Sequence, residues 1–324
     1  MQYRELGRTG IRVSEIGFGG WGIGGWGPVD DAAALDALHL AYDLGVTFYD
    51  TALGYGDGHS EELIGKACRD RRDKVVIASK LPPMTEVWPV KPHEPIATTF
   101  PAAWIIAKTE ESLRQLGTDY LDVQQLHAWT DPYTYLDEWR DAFLRLKQAG
   151  KIRAFGVSAN DWDPYGAVNL ARSGRVDSVQ VIYNIFEQRP AERLFPAAIE
   201  GETGIIVRVP FEEGLLTGKL TPEYVFPEGD WRAEWMTPER RAVAAPRVEA
   251  LKQFLGPDRL TLPALALKFI LAHPAVSTVI PGMRRPEHVR ANVAVSDGVP
   301  LDKETVEALE AHAFVHGWLY PWLA

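Results

Sequence analysis

Sulfur is scarce in this chain of 324 residues, which has four methionines and a single cysteine, Cys68. One thiol excludes an internal disulfide and fits a reducing compartment. No apolar run approaches the ~18 residues that cross a bilayer. The opening Met-Gln-Tyr-Arg-Glu lacks the apolar core of a secretory signal. Positive charge is also in deficit: 34 Lys and Arg against 44 Asp and Glu leave a net charge of −10. That argues against nucleic acid or an anionic membrane as the main partner. The eight histidines are scattered, and no His-x-His pair occurs. A barrel metallohydrolase would cluster them with carboxylates, so no metal site is expected. Neither a repeat nor a low-complexity linker is visible. What is present, 46% apolar and 24% charged residues, is the profile of a soluble globular chain. A cytoplasmic location is the expectation.

Eight short runs read as strands: 15–19, 47–50, 75–80, 120–126, 154–158, 178–183, 205–209 and 276–280. Several are apolar over most of their length, as strands buried on both faces should be. Helical spacing fills the intervals. Leu35, Leu38 and Tyr42 form one stripe. Ile105, Thr109, Leu113 and Leu116 form another. Trp139, Phe143 and Leu146 precede Gly150, a helix-ending glycine, and Leu262, Leu265, Ala266, Phe269 and Ile270 run up to His273-Pro274. Eight strands alternating with helices predict a closed parallel (β/α)8 barrel, one domain over residues 1–324. Tyr3–Leu6 and Ile11–Val13, around Gly7-Arg-Thr-Gly10, predict a hairpin capping the barrel bottom. Two connections, 81–101 with its six prolines and 210–261, are long enough to be functional lids.

Gly17-Phe-Gly19-Gly-Trp-Gly22 matches the dinucleotide-loop pattern G-x-G-x-x-G, as does Gly22-Ile-Gly24-Gly-Trp-Gly27. That motif works only where the glycines open a helix whose N-terminus holds pyrophosphate. Here helical spacing starts near Asp31. The better reading is a loop atop the first barrel strand, with Trp21 and Trp26 as walls around a flat ligand.

Barrel chemistry collects at the C-terminal strand ends. Asp50 ends the second strand and Tyr55 follows it. Lys80 ends the third strand and His127 the fourth. Lys80 closes an apolar run, and a buried lysine needs a carboxylate, which Asp50 on the adjacent strand can supply. A tyrosine beside that cation should have a lowered pKa and act as a proton donor, with His127 bonding the same reacting oxygen. Trp21, Trp26, Tyr55, Trp88, His127 and Trp129 are expected to line the substrate pocket, with Trp231 and Trp235 folding over it.

The chain resembles the aldo-keto reductase superfamily, most nearly its bacterial, non-vertebrate branches. The carriers are Tyr3–Gly10, Phe48-Tyr-Asp50-Thr-Ala, Tyr55-Gly-Asp-Gly-His-Ser-Glu61, Lys80, Leu121–His127, Gly156-Val-Ser158, Gly214-Leu-Leu-Thr-Gly218 and Ile280-Pro-Gly282. The resemblance implies a catalytic tetrad of Asp50, Tyr55, Lys80 and His127, with Tyr55 as general acid in carbonyl reduction. It implies NADPH, with NADH possible, lying across the barrel top without a Rossmann fold. Ser158, Asn160 and Gln180 would meet the carboxamide, and Arg208 stands where the family has an aromatic on the nicotinamide. Gly20, Trp21, Asp50 and Pro210 would also touch the cofactor. Gly214, Leu215, Thr217, Gly218 and Lys219 would take the pyrophosphate. Gly282, Arg284, His288 and Asn292 would take the adenosine side, Arg284 facing the 2′-phosphate. The implied activity is reduction of an aldehyde or ketone. A second reading, from silent members of the family, is a cofactor-binding sensor subunit.

Overall fold

The computed structural model describes residues 1–24, 29–161, 163–256 and 260–318. A hairpin comes first, with β1 (Tyr3–Glu5) antiparallel to β2 (Arg12–Ser14). Eight parallel strands follow: β3 (Phe18–Gly19), β4 (Phe48–Asp50), β5 (Val76–Leu81), β6 (Leu121–Leu126), β7 (Ile152–Ser158), β8 (Ser178–Ile182), β9 (Gly204–Arg208) and β10 (Val276–Val279). Each pairs with the next in chain order. Parallel bridges Ile16–Val279 and Gly19–Gly282 join the last strand to the first, closing the (β/α)8 barrel. The closing bonds are Gly17 N to Val279 O at 2.8 Å and Val279 N to Glu15 O at 2.9 Å.

Strand alternation sorts the side chains into two layers. Phe48, Val76, Ala78, Val123, Ala154 and Ile206 fill the barrel with Leu6, Ile11 and Val13 of the hairpin. The hairpin is therefore the floor. Gly7 lets it seat: its φ is +53°, and a Cβ there would lie 2.4 Å from Gly204 N. The outward residues meet the helices. Those helices are α1 (Asp31–Asp43), α2 (His59–Cys68), the short α3 (Ile96–Thr99), α4 (Ala102–Leu116), α5 (Glu138–Gln148), α6 (Val168–Ser173), α7 (Pro190–Glu200), α8 (Pro238–Leu251), α9 (Leu262–Ala272), α10 (Pro286–Val293) and α11 (Lys303–Glu310).

The sequence reading holds for the stripes of α4, α5 and α9, all buried, and Gly150 has the left-handed φ of +72° expected past a helix end. Two readings need correction. Helix α1 buries Ala34, Ala37, Leu38 and Ala41, while Leu35 and Tyr42 are only half-buried. Small alanines let the helix sit close to the barrel, so the large residues flank the contact. Second, 210–261 is no open loop. It contains α8, started by the Thr237 side chain. From α8 the buried Arg241 donates to the carbonyls of Thr221, Pro222, Tyr224 and Met236. A guanidinium with its donors so used pins residues 221–241.

Candidate active site

At the mouth of the barrel the inward residues turn polar. Lys80, with no exposed surface, places Nζ 2.5 Å from Asp50 Oδ1, 2.7 Å from the Thr51 carbonyl and 3.3 Å from the Tyr55 hydroxyl. An ammonium has three protons, and all three are placed. Asp50 Oδ2 accepts from Gln180 Nε2 at 2.8 Å and from Gln125 Nε2 at 3.5 Å. Tyr55 reaches the cluster from the turn after β4, whose Tyr55 N donates to Ala52 O. Its ring makes edge contacts with Trp21 at 4.9 Å and His127 at 5.6 Å, and Trp88 stands edge-on to His127 at 5.0 Å.

Burial pulls the Lys80 ammonium down, yet Asp50 and Tyr55 together outweigh it and its pKa stands above the ordinary lysine value. Burial raises the Asp50 carboxyl against the pull of Lys80 and the two amides. For Tyr55 the sequence reading is corrected: burial raises the phenol's pKa, and Lys80 offsets this only in part. Removing a group from water penalises its charged form more than one cation at 3.3 Å restores it. The hydroxyl therefore keeps its proton at neutral pH. Burial, followed by the cations of Lys80 and Arg208, pushes His127 well below its ordinary value. A neutral imidazole offers an N–H without adding a second proton source.

Two buried acceptors beside this cluster, Gln180 Oε1 and Asn160 Oδ1, have no partner among the described residues. Their amide nitrogens are committed, to Asp50 and to the Val90 carbonyl (2.8 Å). Orphaned acceptors of this kind suit a ligand that brings N–H donors. Arg208, ending β9, donates to Ala159 O at 2.9 Å and pairs with Asp161 Oδ1 at 2.6 Å. Asp161 Oδ2 lies 3.4 Å from Trp88 Nε1, so Arg208 and Trp88 share one brace. Farther along the mouth the positive charges gather. Burial lowers the His288 pKa; Glu287 opposes this, and Lys219, Arg284 and Arg285 add to the lowering. Gly22, Asp30, Pro227, Asp230, Arg284 and Arg285 line a cavity of about 400 Å³ there.

A model of the aldo/keto reductase family matches residues 15–313, which takes in every one of these side chains. The chain belongs to the aldo/keto reductase family. It is 33% identical over 302 residues to aldo-keto reductase YhdN of Bacillus subtilis (strain 168), covering 90% of this chain and 87% of that one. It is 32% identical to the NADH-specific methylglyoxal reductase of Escherichia coli (strain K12), covering 96% and 100%. The holo form of aldo-keto reductase AKR11C1 from Bacillus halodurans superposes with a TM-score of 0.76 at 30% identity, covering 97% of this chain and 96% of that one.

In this aldo/keto reductase, Asp50, Tyr55, Lys80 and His127 come together as read from the sequence. Trp21 and Trp88 join them as aromatic walls. Trp129 does not. It is wholly buried, edge-on to Tyr133 at 5.6 Å and to Trp139 at 5.0 Å, so it belongs to the packing behind β6. Trp26 lies outside the described residues. Trp231 and Trp235 pack on each other at 5.5 Å, and Trp235 is buried in the core. The run 214–219 forms a tight turn, with Thr217 Oγ1 donating to Gly214 O at 2.6 Å and Gly214 and Gly218 both at positive φ. Leu215 is buried, while Lys219, Gly282 and Arg284 are exposed. Buried Asn292 places Nδ2 3.5 Å from Gly282 O. Sequence reasoning missed Gln125, Asp161 and Arg241. Gln125 could have been found: it stands two residues before His127 on the same inward face.

The Rossmann reading is excluded by the backbone. Gly20–Ile23 form a 3-10 turn, and α1 begins only at Asp31, capped by the Asp30 side chain. No helix among the described residues is long and apolar enough to cross a membrane, and no His, Cys, Asp and Glu cluster there could hold a metal.

Proposed function

We propose that this chain is an NADPH-dependent carbonyl reductase, with Tyr55 as the proton donor to an aldehyde or ketone. The observation that carries the reading is the contact chain Asp50–Lys80–Tyr55 beside a neutral His127. The nicotinamide dinucleotide, when bound, supplies a hydride to the carbonyl carbon. Tyr55 gives its proton to the carbonyl oxygen. The Lys80 ammonium stabilises the phenolate left behind, and Asp50 holds that ammonium in place. His127 donates an N–H to the same oxygen. Trp21 and Trp88 bound the pocket and keep water from the reacting atoms.

The residues fit the cofactor. Gln180 Oε1 and Asn160 Oδ1, both orphaned, would accept from the nicotinamide carboxamide, with Ser158 beside them. Arg208 presents its guanidinium plane where relatives carry an aromatic, Gly20, Trp21 and Pro210 add further contacts to the cofactor, and the 214–219 turn takes the pyrophosphate. Arg284, with His288 and Asn292 nearby, holds the 2′-phosphate. We place the whole activity on one domain, in a cytoplasmic protein.

Tyr55→Phe tests the acid. General acid catalysis contributes about 10²–10⁴-fold, so kcat should fall by that factor while NADPH binding, read by fluorescence quenching, stays within about twofold. A variant keeping more than about a tenth of kcat at neutral pH would remove Tyr55 from the role. Arg284→Ala tests cofactor choice. A bidentate Arg–phosphate contact has no neutral substitute, so NADPH should weaken and NADH stay almost unchanged. Equal losses for both cofactors, or none, would take Arg284 out of the phosphate site.

A further inference from the structure

The turn after β9 is bent in a way its residues resist. Val209 has φ +54°, Glu212 +46° and Glu213 +52°, all in the left-handed region, and Gly214 follows at +105°. A β-branched valine there is a marked outlier. Such backbone persists only where its surroundings over-determine it.

The surroundings are a buried polar knot. Asn184, fully buried after β8, donates from Nδ2 to the Val209 carbonyl at 3.0 Å and to Glu212 Oε2 at 2.5 Å. Its own Oδ1 accepts from Phe186 N at 2.8 Å and Glu187 N at 3.0 Å, which locks the amide to the barrel. The other oxygen of the buried Glu212 carboxylate, Oε1, lies 3.0 Å from Nε2 of His316, within ion-pair distance but not aligned as a hydrogen bond. That imidazole arrives from a distant part of the chain, after α11, and is itself buried. Its segment is fastened on both sides of it. Phe314 N donates to Phe186 O at 2.9 Å, and Arg240 of α8 donates to Trp318 O at 2.8 Å. The His316 ring stacks on Trp318 at 4.2 Å and 20°.

We infer that His316 is a positioning residue for dinucleotide binding: through Glu212 it holds the strained 209–214 turn, and so the 214–219 phosphate turn, in its binding conformation. The inference rests on the cofactor reading above. None of these three side chains touches the cofactor in that reading, so the effect is on the population of competent turn. Affinity falls in proportion to that population, while turnover of the fraction that is loaded does not.

The decisive comparison is His316→Ala against His316→Gln in the full chain, because a glutamine amide keeps a polar N–H group within reach of Glu212 without the ring. Three quantities are read: the Kd for NADPH, kcat at saturating NADPH, and hydrogen exchange of the Gly214 and Leu216 amides in cofactor-free protein. Both amides donate to the Phe211 carbonyl. His316→Ala should weaken NADPH about tenfold, leave kcat within about twofold, and speed exchange at the turn ahead of the barrel strands. His316→Gln should restore most of the affinity. Unchanged Kd and exchange in His316→Ala would overturn the inference. Equal losses in both variants would overturn it too, assigning the effect to ring packing on Trp318. Wild-type protein that binds neither dinucleotide would instead sink the cofactor reading, and the exchange comparison would then decide by itself whether His316 holds the turn.

Discussion

Lys80 has three ammonium protons and three partners, and that arithmetic makes it the residue on which the site turns. Replacing it by methionine keeps the bulk and removes the charge. The cation that most lowers the Tyr55 pKa disappears, leaving the weaker pull of Arg208, so the phenol's pKa, already raised by burial, rises further. Acid catalysis weakens, and the alkaline limb of the pH–rate profile moves to higher pH. The buried Asp50 carboxylate also loses its counter-charge, which costs about 3–5 kcal/mol in comparable buried pairs. Lys80→Met should therefore lose at least about 100-fold in kcat, as expected where acid catalysis is disabled. Its denaturation midpoint should fall as well. A pH–rate profile identical to wild type would refute the coupling. The tryptophans show the opposite lesson at this scale. Trp88 and Trp129 are equally plausible pocket walls from the sequence, yet one stands against His127 and the other is wholly buried. Composition is the same for both, and only the direction each backbone gives its side chain separates them.

Between elements, one of the tightest approaches lies where α2 meets α4. A Cβ on Gly65 would lie 2.1 Å from the Leu116 carbonyl oxygen. No rotamer change relieves a clash with backbone, so the helices must separate. Gly65→Ala should destabilise the fold by about 1–3 kcal/mol or more. The effect should be on stability rather than chemistry, because α2 reaches the mouth through Ser60, which donates to Gly20 O at 2.9 Å. Thermal unfolding and kcat measured on one preparation check this: the Tm should drop while kcat of the folded fraction holds. An alanine variant as stable as wild type would refute the packing argument. The long connections make sense at the same scale. Segment 81–101 is pinned by Tyr133 Oη donating to Glu94 O, Trp104 Nε1 to Pro82 O and Asn160 Nδ2 to Val90 O. Its prolines marked it as irregular but carried no trace of these distant bonds.

For the whole molecule, two carboxyls, Glu61 between the barrel and α2 and Glu213 in the turn after β9, carry protons near neutrality. Glu61, fully buried, accepts from Ser79 Oγ at 2.5 Å. Burial raises it from 4.5 to about 7, and burial does the same to Glu213, with Glu212 adding to it. A carboxyl with a raised folded pKa binds its proton more tightly in the native state than in the unfolded one. Its stabilising share is complete below about pH 4.5 and is lost as pH rises through about 7. Glu61→Gln should therefore flatten the fall in stability between pH 5 and 8, leaving the share of Glu213. Urea denaturation of both proteins at the two pH values is the measurement. Parallel decline in variant and wild type would refute the assignment.

Much of this architecture was legible in the residues themselves. The eight apolar runs, the hairpin floor, the helix stops at Gly150 and His273-Pro274, and the polar residues at and after three consecutive strand ends all follow from periodicity and short-range chemistry. Those signals are local, so the linear chain carries them. Burial is not local. It reverses the direction read for Tyr55, hides Trp129, and turns α1 onto its alanines and Leu38 rather than Leu35 and Tyr42. Ordered backbone in 221–241 depends on Arg241 finding four carbonyls, and the strained turn at Val209 depends on Asn184 and, through Glu212, on His316. Each of these needs two segments far apart in sequence to meet with both their water removed. A one-dimensional pattern names the groups that can make such contacts. Which of them do is decided only when the barrel closes and sets the dielectric and the distances around them.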